Sequence, residues 1–314
     1  MRIVSLLPSA TEILYALGLG EALVGVSHEC NFPPEASGKR VVIRSRIPHS
    51  IPPGEIDRVV REHVTRGESL YAVDAAVLEE LAPDLIVTQD LCHVCAASPD
   101  DLAAALGRFA KRPEVLCLNP HDMGDVLKDI LRAGEATQTA DRAGELVRAL
   151  EARLSAAEAK AKDGVARPRV AFLEWLDPFY VGGHWVPEMI ARAGGEDLFG
   201  RAGMPTFRVT PEEVMAAAPE MLLISPCGYD AGQARQEYLR TAFPGGWQEI
   251  PAVRDARVYV LEANNYYSRP GPRLVTGFEA LVKLFHPSAA VSREAESIIQ
   301  PIAVAAQPGR AASV

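Results

Sequence analysis

A long stretch without proline separates two regions of alternating strands and helices, and this arrangement most constrains the fold. Residues 123–162 contain no proline and consist mainly of alanine, leucine, glutamate, arginine and lysine. Such a composition favours one continuous helix or two nearly continuous helices. Because a chain of 314 residues is long enough for two domains, we predict two lobes joined by this helical segment.

Short apolar runs alternate with helix-forming segments on both sides of that stretch. Residues 3–7 and 85–88 are runs of strand length on the N-terminal side, and 169–173 and 221–225 are their C-terminal counterparts. This alternation predicts parallel sheets covered on both faces, and hence an α/β fold with two Rossmann-like three-layer lobes. The predicted parts are an N-terminal lobe (1–122), a connecting backbone helix (123–165), a C-terminal lobe (166–287) and a flexible tail (288–314).

Two segments have the Ser/Thr-x-x-Glu spacing of a helix capping box. Ser9 and Glu12 form the first pair, and Thr210 and Glu213 form the second, with Pro211 at the first helical position. We therefore predict that a capped helix begins at each site.

The charge balance and the N-terminus limit the possible partners and location. The 32 basic and 41 acidic residues give a net charge of −9, so no nucleic-acid partner is expected. No apolar run reaches about eighteen residues, so no membrane-spanning helix is predicted. Met1 leads almost directly into the first strand, and the five cysteines do not suit a disulfide framework. These features predict a cytoplasmic protein.

The Cys-x-x-Cys loop is the sharpest chemical feature of the sequence. Cys92 and Cys95 follow one predicted buried strand, and His28 and Cys30 follow another. Loops after parallel strands emerge at the same edge of a sheet, so we expect these four side chains to share a metal ion or the metal centre of a ligand. Thiolate and imidazole groups suit zinc or another soft metal.

Other interpretations of the cysteines stay open. A Cys-x-x-Cys loop is also typical of a redox pair, or it only shapes a turn. Burial as a small apolar residue is the alternative for Cys30, and it is favoured for Cys227 and for Cys117, which lies inside an apolar strand.

Aromatic and polar side chains follow other predicted strands, at positions where ligands of open α/β sheets bind. They suit a flat, partly polar ligand between the lobes. For Trp185, packing on the following helix is an alternative, and a lone histidine such as His184 is often a capping or surface residue. No nucleotide-binding loop or hydrolase motif is present, so no catalytic residue is assigned. The predicted ligand-binding residues are Gln89, Asp90, Glu174, Trp175, Tyr180, His184, Trp185, Asn265, Tyr266 and Arg269.

Several segments resemble, in the same order, segments of the cobalamin-binding and iron-chelate-binding proteins of ABC importers. They are residues 2–12 (RIVSLLPSATE), 81–87 (LAPDLIV), 219–224 (PEMLLI) and 269–273 (RPGPR). The resemblance covers roughly residues 1–286. It implies two α/β lobes joined by a rigid helix, which hold a cobalamin-like corrinoid or a related metal chelate without catalysing a reaction.

The resemblance also bears on the partners of the protein. Family members that dock on an ABC permease present one glutamate on each lobe. Glu212 matches the position in the second lobe, whereas Ala76 stands at the position in the first lobe. The apparent lack of a signal peptide and the 92–95 loop indicate a signal-less subgroup, which we expect to be monomeric.

Two alternatives to a corrinoid-binding protein stay open at this point. The first is a protein that binds a metal ion directly through its thiol and imidazole groups. The second is a thiol-dependent enzyme on the same fold, with Cys92 as the nucleophile.

Overall fold

The first of two sheets lies in the N-terminal lobe. The computed structural model describes residues 1–47, 51–89, 99–107, 109, 111–161 and 167–302. The strand order is β4-β3-β2-β1-β5-β6, and all neighbouring strands are parallel except β3 and β4. The strands are β1 (Ile3–Ser5), β2 (Leu23–Ser27), β3 (Arg40–Ser45), β4 (Tyr71–Val73), β5 (Leu85–Gln89) and β6 (Glu114–Leu118). The helices are α1 (Pro8–Ala16), α2 (Pro53–Arg66), α3 (Ala75–Leu81) and α4 (Pro99–Leu106).

Two helices occupy the proline-free stretch. They are α5 (Met123–Ala136) and α6 (Ala140–Ala161). They pack so closely that a Cβ atom at Gly134 would lie 2.4 Å from the Cβ atom of Ala143. The 22 residues of α6 span about 33 Å at 1.5 Å per residue, which is long enough to reach from one lobe to the other. None of the described helices combines the length and apolar character needed to cross a bilayer.

The second sheet lies in the C-terminal lobe, with the order β12-β11-β10-β7-β8 and with β9 beside β7. The strands are β7 (Arg169–Leu176), β8 (Phe179–Val181), β9 (Glu196–Asp197), β10 (Met221–Ile224), β11 (Val258–Leu261) and β12 (Ile299–Pro301). The helices are α7 (Val186–Arg192), α8 (Pro211–Ala217), α9 (Ala231–Arg240), α10 (Pro251–Arg254), α11 (Ala263–Tyr266), α12 (Leu274–Phe285) and α13 (Arg293–Ser297). This architecture confirms the predicted α/β fold of two lobes joined by a helix.

Residues 288–302, predicted as part of a flexible tail, contain a helix and a strand. The strand β12 pairs antiparallel with β11, and α13 precedes it. Ala295, Ile298 and Ile302 are buried against the second lobe. Apolar burial therefore fixes this segment, although its alanine-rich composition suggested a loose end.

One continuous apolar core joins the lobes along α6. It combines side chains from helices of both lobes, among them Leu14 of α1, Ile130 of α5, Leu150 of α6 and Phe278 of α12. Two smaller clusters cover the other faces of the sheets, one in each lobe. Because packed cores resist gradual deformation, this shared core restricts how the lobes move relative to each other.

The two predicted capping boxes have opposite outcomes. At α8 the box is confirmed, since the Thr210 hydroxyl accepts from the Glu213 backbone N–H at 3.1 Å and the Glu213 carboxylate accepts from the Thr210 N–H at 2.7 Å. At α1 the prediction is wrong, because the helix begins at Pro8 without a side-chain cap. Glu12 instead pairs with Arg273 of the second lobe.

Candidate ligand-binding site between the lobes

The carboxyl ends of the two parallel sheets face each other. Arg269, which follows β11, donates to the side chain of Asn31, which follows β2, at 2.7 Å. His121 follows β6, and its ring centroid lies 6.4 Å from that of His184. Because His184 follows β8, which runs antiparallel to β7, this contact marks the lobe boundary rather than the carboxyl edge of the second sheet. Ligands of parallel α/β sheets bind beyond these carboxyl ends. The space between the two sheet edges is therefore the candidate site, and we call it the cleft.

An aromatic pair lies at the carboxyl edge of the second sheet. Trp175 is half-buried near the end of β7, and its ring meets that of Tyr229 edge-on, with 5.4 Å between centroids. The indole N–H of Trp175 donates to the Asp177 carbonyl at 2.9 Å, which fixes the ring. A fixed indole next to a phenol offers an apolar face to a planar ligand.

Hydrogen-bond acceptors accompany this aromatic pair. The Glu174 carboxylate is half-buried and accepts from the Gly183 backbone N–H at 3.2 Å. Burial raises the pKa of Glu262, whose carboxylate accepts from the side-chain amide of Asn265. Among the described residues, the buried Ser225 hydroxyl at the end of β10 has no partner. This wall of the cleft therefore suits a ligand whose edge carries hydrogen-bond donors.

His184 is held in a strained backbone conformation. Its φ of 52° lies in the left-handed region, and its N–H and carbonyl bond to the backbone of Met204 and Gly203 at 2.7 and 2.9 Å. Its ring stacks on that of Trp185. Burial and the nearby His121 lower the pKa of His184, so a neutral imidazole is favoured at the lobe boundary.

Trp185 and Tyr266 belong to the core, and their predicted contact with a ligand stays a prediction. The indole N–H of Trp185 donates to the Tyr267 carbonyl at 2.7 Å, and the ring is 5% exposed. The Tyr266 hydroxyl donates to Glu294 at 3.0 Å, and this residue is 8% exposed. Buried indole and phenol groups need such partners, and these contacts supply them.

Arg269 is likewise engaged by protein groups rather than exposed to the cleft. Its guanidinium donates to Asn31 at 2.7 Å and to the Glu29 carbonyl at 3.2 Å, and it lies 3.7 Å from Glu12. Arg273 donates to both carboxylate oxygens of Glu12, at 2.9 and 2.5 Å. We call these two arginines and Glu12 the buried junction. The predicted ligand contact of Arg269 stays a prediction.

Gln89 and His28 lie at the carboxyl edge of the first sheet. Gln89 is buried at the end of β5. The His28 ring is half-buried, and its Nε2 accepts from the Ser45 backbone N–H at 3.4 Å. Both positions agree with the predicted edge of the cleft, and their ligand contacts stay a prediction.

Cys30, which was predicted as a metal ligand, lies in the core. Its Sγ is 3.0 Å from the Thr11 hydroxyl, and the residue is 4% exposed. Burial raises the pKa of its thiol to about 11. Metals bind the thiolate form, which this environment disfavours.

The remaining predicted residues, Asp90, Cys92 and Cys95, lie outside the described residues. Their roles therefore stay predictions. Within the described ranges, no three histidine, cysteine, aspartate or glutamate side chains are arranged to hold a metal ion.

Tyr180 reaches across to the first lobe. Its hydroxyl donates to Asp57 of α2 at 3.0 Å and accepts from Arg208 at 2.8 Å. Sequence reasoning missed Asp57 and Arg208, and it gave His121 no partner. Each acts through a residue more than sixty positions away in the chain, so local spacing gives no signal for it.

The comparison with protein families identifies the fold. A model of the periplasmic binding protein family matches residues 3–264. The chain belongs to this family. Its members are binding proteins, which confirms the expected non-catalytic role and argues against a thiol-dependent enzyme.

Individual relatives agree with this assignment. The vitamin B12-binding protein of Vibrio cholerae serotype O1 is 24% identical, over 88% of this chain and 86% of its own length. An ABC transporter substrate-binding lipoprotein of Bacillus subtilis is 28% identical, over 91% and 80%. The structure of the periplasmic heme-binding protein RhuT of Roseiflexus sp. RS-1 is 25% identical with a TM-score of 0.69, over 92% of this chain and 99% of RhuT.

These relatives correct the prediction of a cytoplasmic location. One is a lipoprotein of an ABC transporter and another is a periplasmic protein. One of these relatives is a vitamin B12-binding protein and another is a heme-binding protein, and neither supports zinc as a cofactor.

Proposed function

We propose that the chain binds a corrinoid, or a closely related metal chelate, in the cleft and delivers it to the permease of an ABC importer. The proposal is supported by the family, by the vitamin B12-binding relatives and by the paired sheet edges. It includes a location outside the cytoplasm, because substrate-binding proteins of importers meet their permeases there.

The character of the second-lobe wall favours a corrinoid over heme. The edge of a corrinoid carries amide groups, which donate hydrogen bonds, whereas heme carries carboxylates that need cationic partners. Glu174 and Glu262 supply acceptors at this wall. Three arginines at the lobe boundary, Arg208, Arg269 and Arg273, already face carboxylates of the first lobe. Because these arginines are already paired, they are not available to the carboxylates of heme. This observation favours a corrinoid as the ligand.

The permease contact is proposed for the N-terminus of α8. Glu212 is exposed there, whereas its neighbour Glu213 is used in the capping box. In the first lobe, Ala76 is exposed on α3, and the nearby Glu80 pairs with Arg40 at 3.1 Å. Glu212 is therefore the better candidate for an arginine of the permease.

Titration with three chelates tests the ligand. We expect cyanocobalamin to bind more tightly than hemin or a ferric hydroxamate, as followed by calorimetry and visible absorbance. Trp175→Ala should weaken cobalamin binding about tenfold through lost aromatic contact. Leu239→Ala, which changes an exposed apolar residue near the end of α9, is the control and should leave affinity unchanged. Tighter binding of hemin, or no binding of cobalamin, would contradict the proposal.

A further inference from the structure

The helix α2 is an unusual element of the first lobe. Its 14 residues include no buried residue, although it lies between two lobes with well-filled cores. Pro53 occupies its first turn, and Gly67 ends it with a φ of 64°. Val60 packs against the apolar cluster of the first lobe but is only partly buried. Helices of this length gain most of their stability from packing, so polar contacts must add to this one to hold α2 in place.

A closed ring of hydrogen bonds joins α2 to the second lobe. Arg208 donates from Nη2 to both oxygens of Asp57, at 2.6 and 2.5 Å, and from Nε to the Tyr180 hydroxyl at 2.8 Å. The Tyr180 hydroxyl in turn donates to Asp57 at 3.0 Å. Bonds to ionised groups are stronger than neutral ones, and each bond in the ring polarises the next. We call these three residues the latch.

The second-lobe side of the latch is rigid. Tyr180 and Arg208 face each other as an antiparallel bridge, with the backbone N–H of Val181 donating to Phe207 at 3.1 Å. The Arg208 guanidinium also lies over the Tyr180 ring, 5.3 Å from its centroid. These contacts hold the Tyr180 hydroxyl and the Arg208 guanidinium in position even when α2 is not bound to them. This preorganisation reduces the entropic cost of forming the latch.

The first turn of α2 makes a second contact with the same hairpin. A Cβ atom at Gly54 would lie 2.6 Å from the Asp177 carboxylate, in the turn between β7 and β8. A carboxylate is favoured there, because the N-terminus of a helix carries partial positive charge. Glycine at this position therefore lets α2 approach the second lobe closely.

The contacts place the two ends of α2 on different lobes. Its first half meets the β7–β8 hairpin of the second lobe through Gly54 and Asp57. Its last residue, Arg66, is followed by β4, which ends the strand order of the first sheet. The 14 residues span about 21 Å, so α2 extends from the second-lobe hairpin toward the β4 edge of the first sheet.

We propose that α2 is a strap over the cleft and that the latch controls how fast ligand enters and leaves. This inference rests on the proposed function, because it assumes that the cleft holds the ligand. Opening the latch breaks the ring of hydrogen bonds, whereas Val60 of α2 packs on the first-lobe cluster and not on the second lobe. No residue of α2 is fully buried. The side chain of Arg208 is 39% exposed, so water and salt compete for the ring. Such a contact opens far more easily than the shared core along α6.

Two variants with matched contacts test the strap. Arg208→Gln removes the cation that joins the lobes. Arg61→Gln removes another arginine, which lies 3.1 Å from the same Asp57 but belongs to α2 itself. We expect Arg208→Gln to speed cyanocobalamin dissociation about fivefold in stopped-flow absorbance. This estimate takes the strength of one charged hydrogen bond and reduces it for screening by solvent. Arg61→Gln should change the rate less than about twofold, because its partner lies in the same helix.

Hydrogen exchange of the ligand-free protein tests the latch without any ligand. Amides of residues 55–60 should exchange about fivefold faster in Arg208→Gln than in the wild type, with no change in Arg61→Gln. If the wild type binds no cobalamin, the proposed function fails, and the exchange measurement still decides the latch. Unchanged exchange of α2 in Arg208→Gln, or equal effects of the two variants, would overturn the proposal. Unaltered exchange of α12 serves as the check that the variant is folded.

Discussion

The lobes meet through two arginine–carboxylate contacts that differ in burial. At the buried junction, the side chain of Glu12 is 3% exposed and that of Arg273 is 13% exposed. The Arg273 guanidinium also lies 3.7 Å from the Phe32 ring centroid. At the latch, the side chain of Asp57 is 9% exposed and that of its partner Arg208 is 39% exposed. The same pair of chemical groups therefore serves two contacts with unequal access to water.

This difference predicts different roles for the two contacts. Leaving a buried charge without its partner is costly, so the junction contributes to the integrity of the two-lobed fold. A partly exposed pair contributes little to the free energy that holds the lobes together, because water solvates both charged groups when the pair opens. The latch is thus suited to repeated opening, whereas the junction is suited to holding the lobes in register.

The largest effect is expected when the buried junction is broken. Arg273→Met keeps the apolar stem but removes the charge, and Glu12 then retains only Arg269, at 3.7 Å. We expect a loss of about 3 kcal/mol in the free energy of unfolding, measured with urea. The control is Arg254→Met, which breaks an exposed pair with Asp255 and should leave the unfolding curve unchanged. A variant Arg273→Met as stable as the wild type would show that the junction contributes no stability.

The fold was largely predictable because its signals are local. Apolar runs marked the strands, and the capping box at Thr210 marked α8 because its partner, Glu213, is only three residues away. The similar box at Ser9 misled because Glu12 is used by Arg273, which is 261 positions away. Local spacing shows that a cap is possible but not whether a distant partner competes for it.

The site was less predictable, for a related reason. Residues after strands were expected to face the cleft, yet Trp185 and Tyr266 turn into the core, where Tyr267 and Glu294 satisfy their polar groups. Aromatic composition alone does not distinguish these two directions. The latch joins positions 123 and 151 residues apart, and a pattern in one segment does not reveal such a pair.

A change of salt concentration should separate the two contacts. We expect a coupling free energy of about 1 kcal/mol between Asp57 and Arg208 at low salt, from a double-mutant cycle of Asp57→Asn and Arg208→Gln read by hydrogen exchange of α2. In about 1 M salt the screening length falls to about 3 Å, so this coupling should become too small to measure. The coupling between Glu12 and Arg273 should change little, because salt screens buried pairs poorly. If both couplings were equally sensitive to salt, the difference in burial would not make the latch and the buried junction behave differently.

The smallest effect is expected at a third contact between the lobes, that of His121 and His184. Burial and the neighbouring His121 lower the pKa of His184 in the folded protein, so the unfolded chain binds a proton there more readily. The stability that the neutral His184 imidazole contributes is therefore complete above about pH 6.5, the pKa of an unperturbed histidine. It is lost as the pH falls through the lower pKa of His184 in the folded protein. His184→Asn removes the titrating group, and asparagine tolerates the left-handed backbone at this position. In urea unfolding between about pH 7 and pH 5.5, the wild type should lose more stability than His184→Asn. If both proteins lose the same amount, protonation of His184 does not act on the contact between the lobes.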